Sequence, residues 1–202
     1  MATTVSHAFY DTPFGDFHVF ADAQGVVRAS GFGSVASVAV HLPAGLLASG
    51  WIDGSLPDVD SALEAWLDGD GSALARVQVA QAGGPFFQEV WDTLREVPAG
   101  EPLSYQELAA AAGRPRAMRA VGTACARNAL GLFVPCHRVI AAAGRLGHYG
   151  YGGPGIKAAM LAHEAGYGKV EILTAQSAAH AGALAPVRAL RAGSPLRDSL
   201  TA

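Results

Sequence analysis

Along the first third of the chain, apolar and polar residues alternate. SHAFYD (6–11), GDFHVFAD (15–22) and GVVRASGF (25–32) carry this two-residue period, and Thr-Pro, Phe-Gly and Gln-Gly pairs punctuate them. Successive side chains of a strand face opposite ways, so the pattern predicts three strands joined by turns. SALEAWLDGDG (61–71) predicts a short helix that stops at its glycines, and ALARVQVA (73–80) a further strand. Together these segments predict a small α/β domain over residues 1–82, followed by a linker at Gln81–Gly84.

From Pro85 the period becomes helical. Phe86, Phe87, Val90, Trp91, Leu94 and Val97 fall on one face, with Pro85 suited to the first turn and Pro98 and Gly100 ending the run. Ser104-Tyr105-Gln106-Glu107 has the spacing of a capping box and predicts a helix through Ala112. Gly113 breaks it, and Arg114-Pro115 is expected to open a third helix carrying Arg116, Arg119 and Arg127. Two short helices across a glycine turn describe a helix-turn-helix. They describe an ordinary αα-hairpin equally well.

Charge bears on that choice. The chain has 202 residues and a net charge of −3. Residues 1–107 hold 14 acids and 3 bases, whereas residues 108–163 hold seven bases and no acid. A basic stretch within an acidic protein suits a polyanion, although a merely solvated surface would look the same. Half of the residues are apolar and 15% are charged, which excludes a disordered composition. No apolar run is long enough to cross a bilayer, and the first twenty residues lack the basic start and apolar stretch of a signal peptide. Cys125 and Cys136, the two cysteines, give neither a disulfide framework nor a paired zinc knuckle, so a reduced, cytoplasmic setting without metal is expected.

The sharpest local feature is Leu132-Phe133-Val134-Pro135-Cys136-His137-Arg138-Val139-Ile140, a strand-like apolar run interrupted by a reactive triplet. A thiol attacks as its thiolate, which a neighbouring imidazole or cation favours. In extended chain, adjacent side chains point apart, so His137 would need a bridging water or a bend after Pro135 to act on Cys136. Glu164, in Leu161-Ala162-His163-Glu164, is a candidate to orient the imidazole. A Cys-His pair taken alone also fits an inert, buried cysteine.

PCHRV, with Ser-Tyr-Gln upstream and Leu-Ala-His-Glu downstream, resembles the O6-alkylguanine-DNA alkyltransferases from about Pro85 to Gly168; residues 1–82 are similar in architecture only. The resemblance implies an α+β protein. Its small N-terminal domain would be RNase H-like, and its mainly helical C-terminal domain (83–170) would carry a winged-helix-like helix-turn-helix and the active-site cysteine. It also implies direct-reversal repair: a damaged nucleotide is flipped from double-stranded DNA bearing O6-alkylguanine, with acceptance of O4-alkylthymine left open by the sequence. Its alkyl group then passes irreversibly to Cys136, because O6 inside the stack is out of a thiolate's reach. His137 would deprotonate Cys136 through a water, with Glu164 holding the ring. Tyr105 is preferred over Lys157 as proton donor to the departing base.

On the DNA side, Arg119 matches the arginine that fills the gap left by the flipped base, although it could instead contact phosphate like its neighbours. Met118, Arg114, Arg116, Arg127 and Arg138 are assigned to DNA binding. Tyr149, Gly150, Val139 and Asn128 are assigned to the substrate pocket, with Asn128 also satisfying backbone groups at the turn before the active-site segment. Gly131 stands where some relatives have proline, Gly150 where some have serine, and one extra residue falls near Tyr151–Gly155. No cofactor and a monomer are expected. An alkyltransferase-like sensor that binds lesions without transfer is the alternative, which the presence of Cys136 opposes. The Ala-rich tail, 171–202, is expected to be disordered or frayed helix.

Overall fold

The structure, a computed structural model, describes residues 4–166. The predicted tail lies outside the described residues. Two compact units emerge: one contains the residues up to Ala82 together with Asn128–Val134, the other Gly83–Arg127 together with the residues from Pro135 on.

The first unit is built on a four-stranded sheet. Strands β1 (Val5–Thr12), β2 (Gly15–Ala21) and β3 (Val27–Phe32) form an antiparallel meander, as the alternation predicts. Two short helices follow, α1 (Val35–Ala39) and α2 (Ala44–Ser49), then an edge strand β4 (Trp51–Asp53) parallel to β1, giving the order β3-β2-β1-β4. Those three elements carry no usable period because each is shorter than two helical turns or two strand repeats. Helix α3 (Pro57–Leu67) begins four residues before the predicted start, with Pro57 in its first turn and Asp58 and Asp60 at its positive end.

The expected strand at 73–80 is overturned. Ala73–Arg76 is a 3-10 turn, and before it the Asp70 side chain accepts from the Ser72 backbone and hydroxyl and from Arg76. Of the expected strand, one bridge forms, Val79 to Val27. Trp66, Phe14, Phe17 and Phe20 fill the core.

Asn128–Val134 belongs to this unit through backbone and amide contacts. The Ser30 N–H donates to Ala129 O, the Gly131 N–H donates to Ser30 O, and the Ser30 hydroxyl donates to Gly131 O. Gly131 therefore uses an N–H that the proline of some relatives could not supply. The expected strand-like run here is also corrected, because Gly131–Val134 is a turn in which Leu132 adopts φ 75°.

In the second unit, α4 (Pro85–Arg95) leads to β5 (Leu103–Ser104) and α5 (Tyr105–Ala111). The capping box forms in full: the Glu107 N–H donates to Ser104 Oγ, and the Ser104 N–H to the Glu107 carboxylate. Gly113 takes φ 69°, the left-handed conformation that the turn after α5 requires. The next helix, α6 (Met118–Ala126), opens at Met118 and not at Arg114-Pro115, since Arg114 to Ala117 closes a turn of its own. Strand β6 (Val139–Ile140) pairs parallel with β5, and α7 (Gly153–Glu164) completes the unit. No described helix is long and apolar enough to cross a membrane.

Candidate active site

Pro135 ends the preceding turn, and Cys136–Arg138 forms one turn of 3-10 helix before β6. Of the two alternatives left by the sequence, a bend after Pro135 is present. Cys136 and His137 are both buried, His137 completely.

His137 Nε2 faces Glu164 Oε1 at 3.0 Å. A carboxylate only accepts, so Nε2 carries the proton and Nδ1 presents its lone pair. Burial holds the ring below its ordinary pKa, despite the opposing pull of Glu164, so the imidazole is a neutral base at pH 7. Burial alone would raise Glu164. The His137 ring and the Arg138 guanidinium outweigh burial and keep the carboxylate ionised, well below the usual range.

Arg138 must be reassigned. Its side chain is 6% exposed and grips Glu164 with two nitrogens, Nε to Oε2 at 3.0 Å and Nη2 to Oε1 at 2.7 Å, while Nη1 donates to Val97 O. A guanidinium so committed is not on the surface to meet phosphate. It neutralises the buried glutamate that orients His137. Gly100, at φ 79°, lies beside the same helix end, where a Cβ would stand 2.9 Å from Glu164 O. Neither the Val97 carbonyl nor Gly100 could be read as part of the site from the sequence, because the contacts are made with backbone.

Lys157 is buried and donates to the carbonyl of Val139, and burial lowers its pKa to about 8. Val139 itself has no exposed surface. Tyr105, at the start of α5, is half-buried and packs against Gly122 of α6; burial raises its phenol, with the Cys125 and Cys136 thiols adding to the effect. It remains a protonated donor at neutral pH. Tyr149 is buried edge-to-face against both His137 and Tyr151, and Tyr151 is a buried aromatic that the sequence reading did not assign to the site. Gly150 is exposed with open space where a Cβ would be, so its size is not sterically required.

Asn128 lies in the first unit, where its side chain donates to Val134 O at 2.8 Å and accepts from the Leu130 N–H and the Gln81 amide. It braces the turn, as its backbone-satisfying role predicts.

The basic residues divide by burial. Arg116, Met118 and Arg119 are exposed, Met118 as an apolar side chain flanked by small Ala117 and Ala120. Arg114 is exposed and pairs loosely with Glu89 at 3.4 Å, and the exposed Arg127 lies over the Phe87 ring. Trp91 on α4 donates its indole N–H to Ala124 O of α6, which fixes that helix within its unit. Among the described residues no three His, Cys, Asp or Glu side chains gather as a metal site.

Residues 85–166 match the family described as 6-O-methylguanine DNA methyltransferase, DNA binding domain. The human methylated-DNA–protein-cysteine methyltransferase is 35% identical over 166 residues, covering 76% of this chain and 77% of the human one. The chain belongs to the methylated-DNA–protein-cysteine methyltransferase family.

Proteins of this family repair DNA directly, by transferring an alkyl group to a cysteine of their own. The Escherichia coli bifunctional transcriptional activator and DNA repair enzyme Ada is 49% identical over 83 residues, which span 41% of this chain but only 23% of Ada. The structure of Mycobacterium tuberculosis OGT in complex with DNA is 28% identical with a TM-score of 0.65, over 83% of this chain and 98% of that one. The α+β architecture of this methyltransferase-family chain agrees with that structure.

Proposed function

We propose that this protein repairs O6-alkylguanine in double-stranded DNA by one irreversible transfer to Cys136. The observation that carries the reading is the buried His137–Glu164–Arg138 centre, whose His137 and Arg138 follow Cys136 directly in the chain while Glu164 comes from α7. In the step, the carbon–O6 bond breaks as the carbon–sulfur bond forms. The thiol proton passes through a water to His137, whose developing charge Glu164 stabilises. The departing guanine takes a proton from Tyr105, which burial keeps protonated. A thioether has no acidic proton and is a poor leaving group, so each molecule acts once.

Exposed Arg119, on the second helix of the helix-turn-helix, is assigned to the gap left by the flipped nucleotide, and exposed Arg116 and Met118 to the groove beside it. Tyr149 walls the base. The protein acts as a monomer inside the cell.

The test is incubation with duplex carrying labelled O6-methylguanine, followed by peptide mass analysis. A 1:1 gain of one methyl on Cys136 is the expected result. Label on Cys125, or none, refutes the assignment. Arg119→Ala should slow transfer from duplex far more than reaction with free O6-benzylguanine; equal losses would exclude a flipping role.

A further inference from the structure

Among the described residues, two polar side-chain atoms are buried with no hydrogen-bond partner, and both lie at the reactive centre: His137 Nδ1 and the Tyr149 hydroxyl. Buried polar groups without partners are costly, and each native instance demands an explanation. The two rings stand edge-to-face with centroids 6.5 Å apart, and Tyr151 packs on the other ring contact of Tyr149 at 5.8 Å. Tyr149 is 4% exposed, so bulk water does not satisfy its hydroxyl.

The remaining polar groups nearby are already engaged. Lys157 Nζ on α7 donates to Val139 O, and Arg138 is held by Glu164 and Val97. Glu164 in turn accepts from His137 and Arg138. Tyr105 on α5 and Cys125 on α6 are further titratable groups within electrostatic reach of Cys136, and Tyr151 lies within reach of Tyr149.

The two unpartnered atoms are complementary. With Nε2 protonated toward Glu164, His137 Nδ1 can only accept. Burial holds the Tyr149 phenol well above its ordinary value, so it stays protonated and can donate. One water that accepts from Cys136 S–H and Tyr149 O–H while donating to His137 Nδ1 would make about three hydrogen bonds, the usual number for a buried water.

We propose that Tyr149 is a positioning residue of the transfer step: its hydroxyl, and not only its ring, anchors the water through which Cys136 gives up its proton to His137. The inference rests on the alkyl-transfer reading above. The balance is simple. The Cys136 S–H bond breaks, its proton joins the water, the water's own proton moves to His137 Nδ1, and Tyr149 keeps its proton throughout. Wall residues need only a ring, so a phenylalanine would serve if stacking were the whole role.

Tyr149→Phe in the full chain separates the two roles. Three readings are compared with the unaltered protein: the single-turnover rate on O6-methylguanine duplex, the pH profile of Cys136 alkylation by iodoacetamide, and the thermal midpoint. The expected result is a rate about tenfold lower, with the alkylation midpoint moved up by about one pH unit, since one unit is a tenfold change in thiolate. The thermal midpoint should move by no more than a few degrees, because the fold keeps the ring and loses only one water-mediated hydrogen bond. An unaltered rate and pH midpoint overturn the proposal. So does a slower rate with an unmoved midpoint, which would place the hydroxyl on the base and not on the water. If the unaltered protein gains no methyl in the same assay, the alkyl-transfer reading fails separately, and the iodoacetamide profile still reports on the water.

Discussion

In the sheet unit, Trp66, Phe14, Phe17 and Phe20 fill the interior with rings, whereas the side chains buried around Cys136 include a lysine, an arginine, a histidine and a glutamate. Both regions exclude water, but for different ends. An apolar core gains stability from each ångström of surface it buries and is indifferent to which apolar shape supplies it, within its volume. A buried charge centre gains little over an apolar core of the same size, and it becomes a liability once one partner is removed. What it offers is chemistry: a base held neutral, oriented by a carboxylate that an arginine keeps ionised. Around Cys136 stability is tied to charge pairing, whereas the aromatic core of the sheet unit ties it to volume.

The comparison breaks most visibly at Glu164. Glu164→Gln strands Arg138 in the interior and leaves His137 without an anionic partner. It should cost about 3–5 kcal/mol of stability and slow methyl transfer by roughly 10²–10⁴-fold. Denaturant unfolding and single-turnover kinetics measure the two losses, and a variant with full stability would show that the centre is not charge-held. The counterpart in the sheet unit is Trp66→Ala, which should cost about 3–5 kcal/mol through its cavity while leaving the pH profile of unfolding unchanged. A changed profile would contradict the division drawn above.

Acid sharpens the contrast further. His137 refuses, when folded, a proton that the unfolded chain accepts near its ordinary value of 6.5, so its contribution to stability falls as pH drops through that value. Glu164, held low, contributes fully above its ordinary 4.5 and loses that contribution as pH falls below it. Each group should steepen the loss by at most about 1.4 kcal/mol per pH unit. The buried His18 of the sheet unit, lowered by burial and by the neighbouring His7, has the same sign. The ring resonances of His18 and His137, followed by NMR, would separate the two. A His137 ring that titrates at its ordinary value would remove the neutral base from the mechanism.

Local pattern made the first three strands, the capped helix at Ser104 and the glycine turn legible, because each depends on contacts a few residues apart. Cys136, His137 and Glu164 were legible as chemistry, since their residue types and order carry the family resemblance. Arg138 was misassigned for a physical reason: a run of bases without acids looks like one surface. Its true partners, a carboxylate 26 residues on and a carbonyl 41 residues back, leave no mark on local composition. The strand expected at 73–80 gave way to a 3-10 turn over Ala73–Arg76, beside which Asp70 gathers local hydrogen bonds that an alternating pattern does not register.

The sequence by itself determined which groups could react and which segments had a period strong enough to fold as read. Tertiary structure alone decided which bases face solvent and which are consumed inside, that Asn128–Val134 returns to pair with Ser30, and that His137 Nδ1 and the Tyr149 hydroxyl are both buried without hydrogen-bond partners. The reason is range. Propensity and periodicity act over one or two turns of chain, whereas burial and charge pairing are settled by residues that only folding brings together.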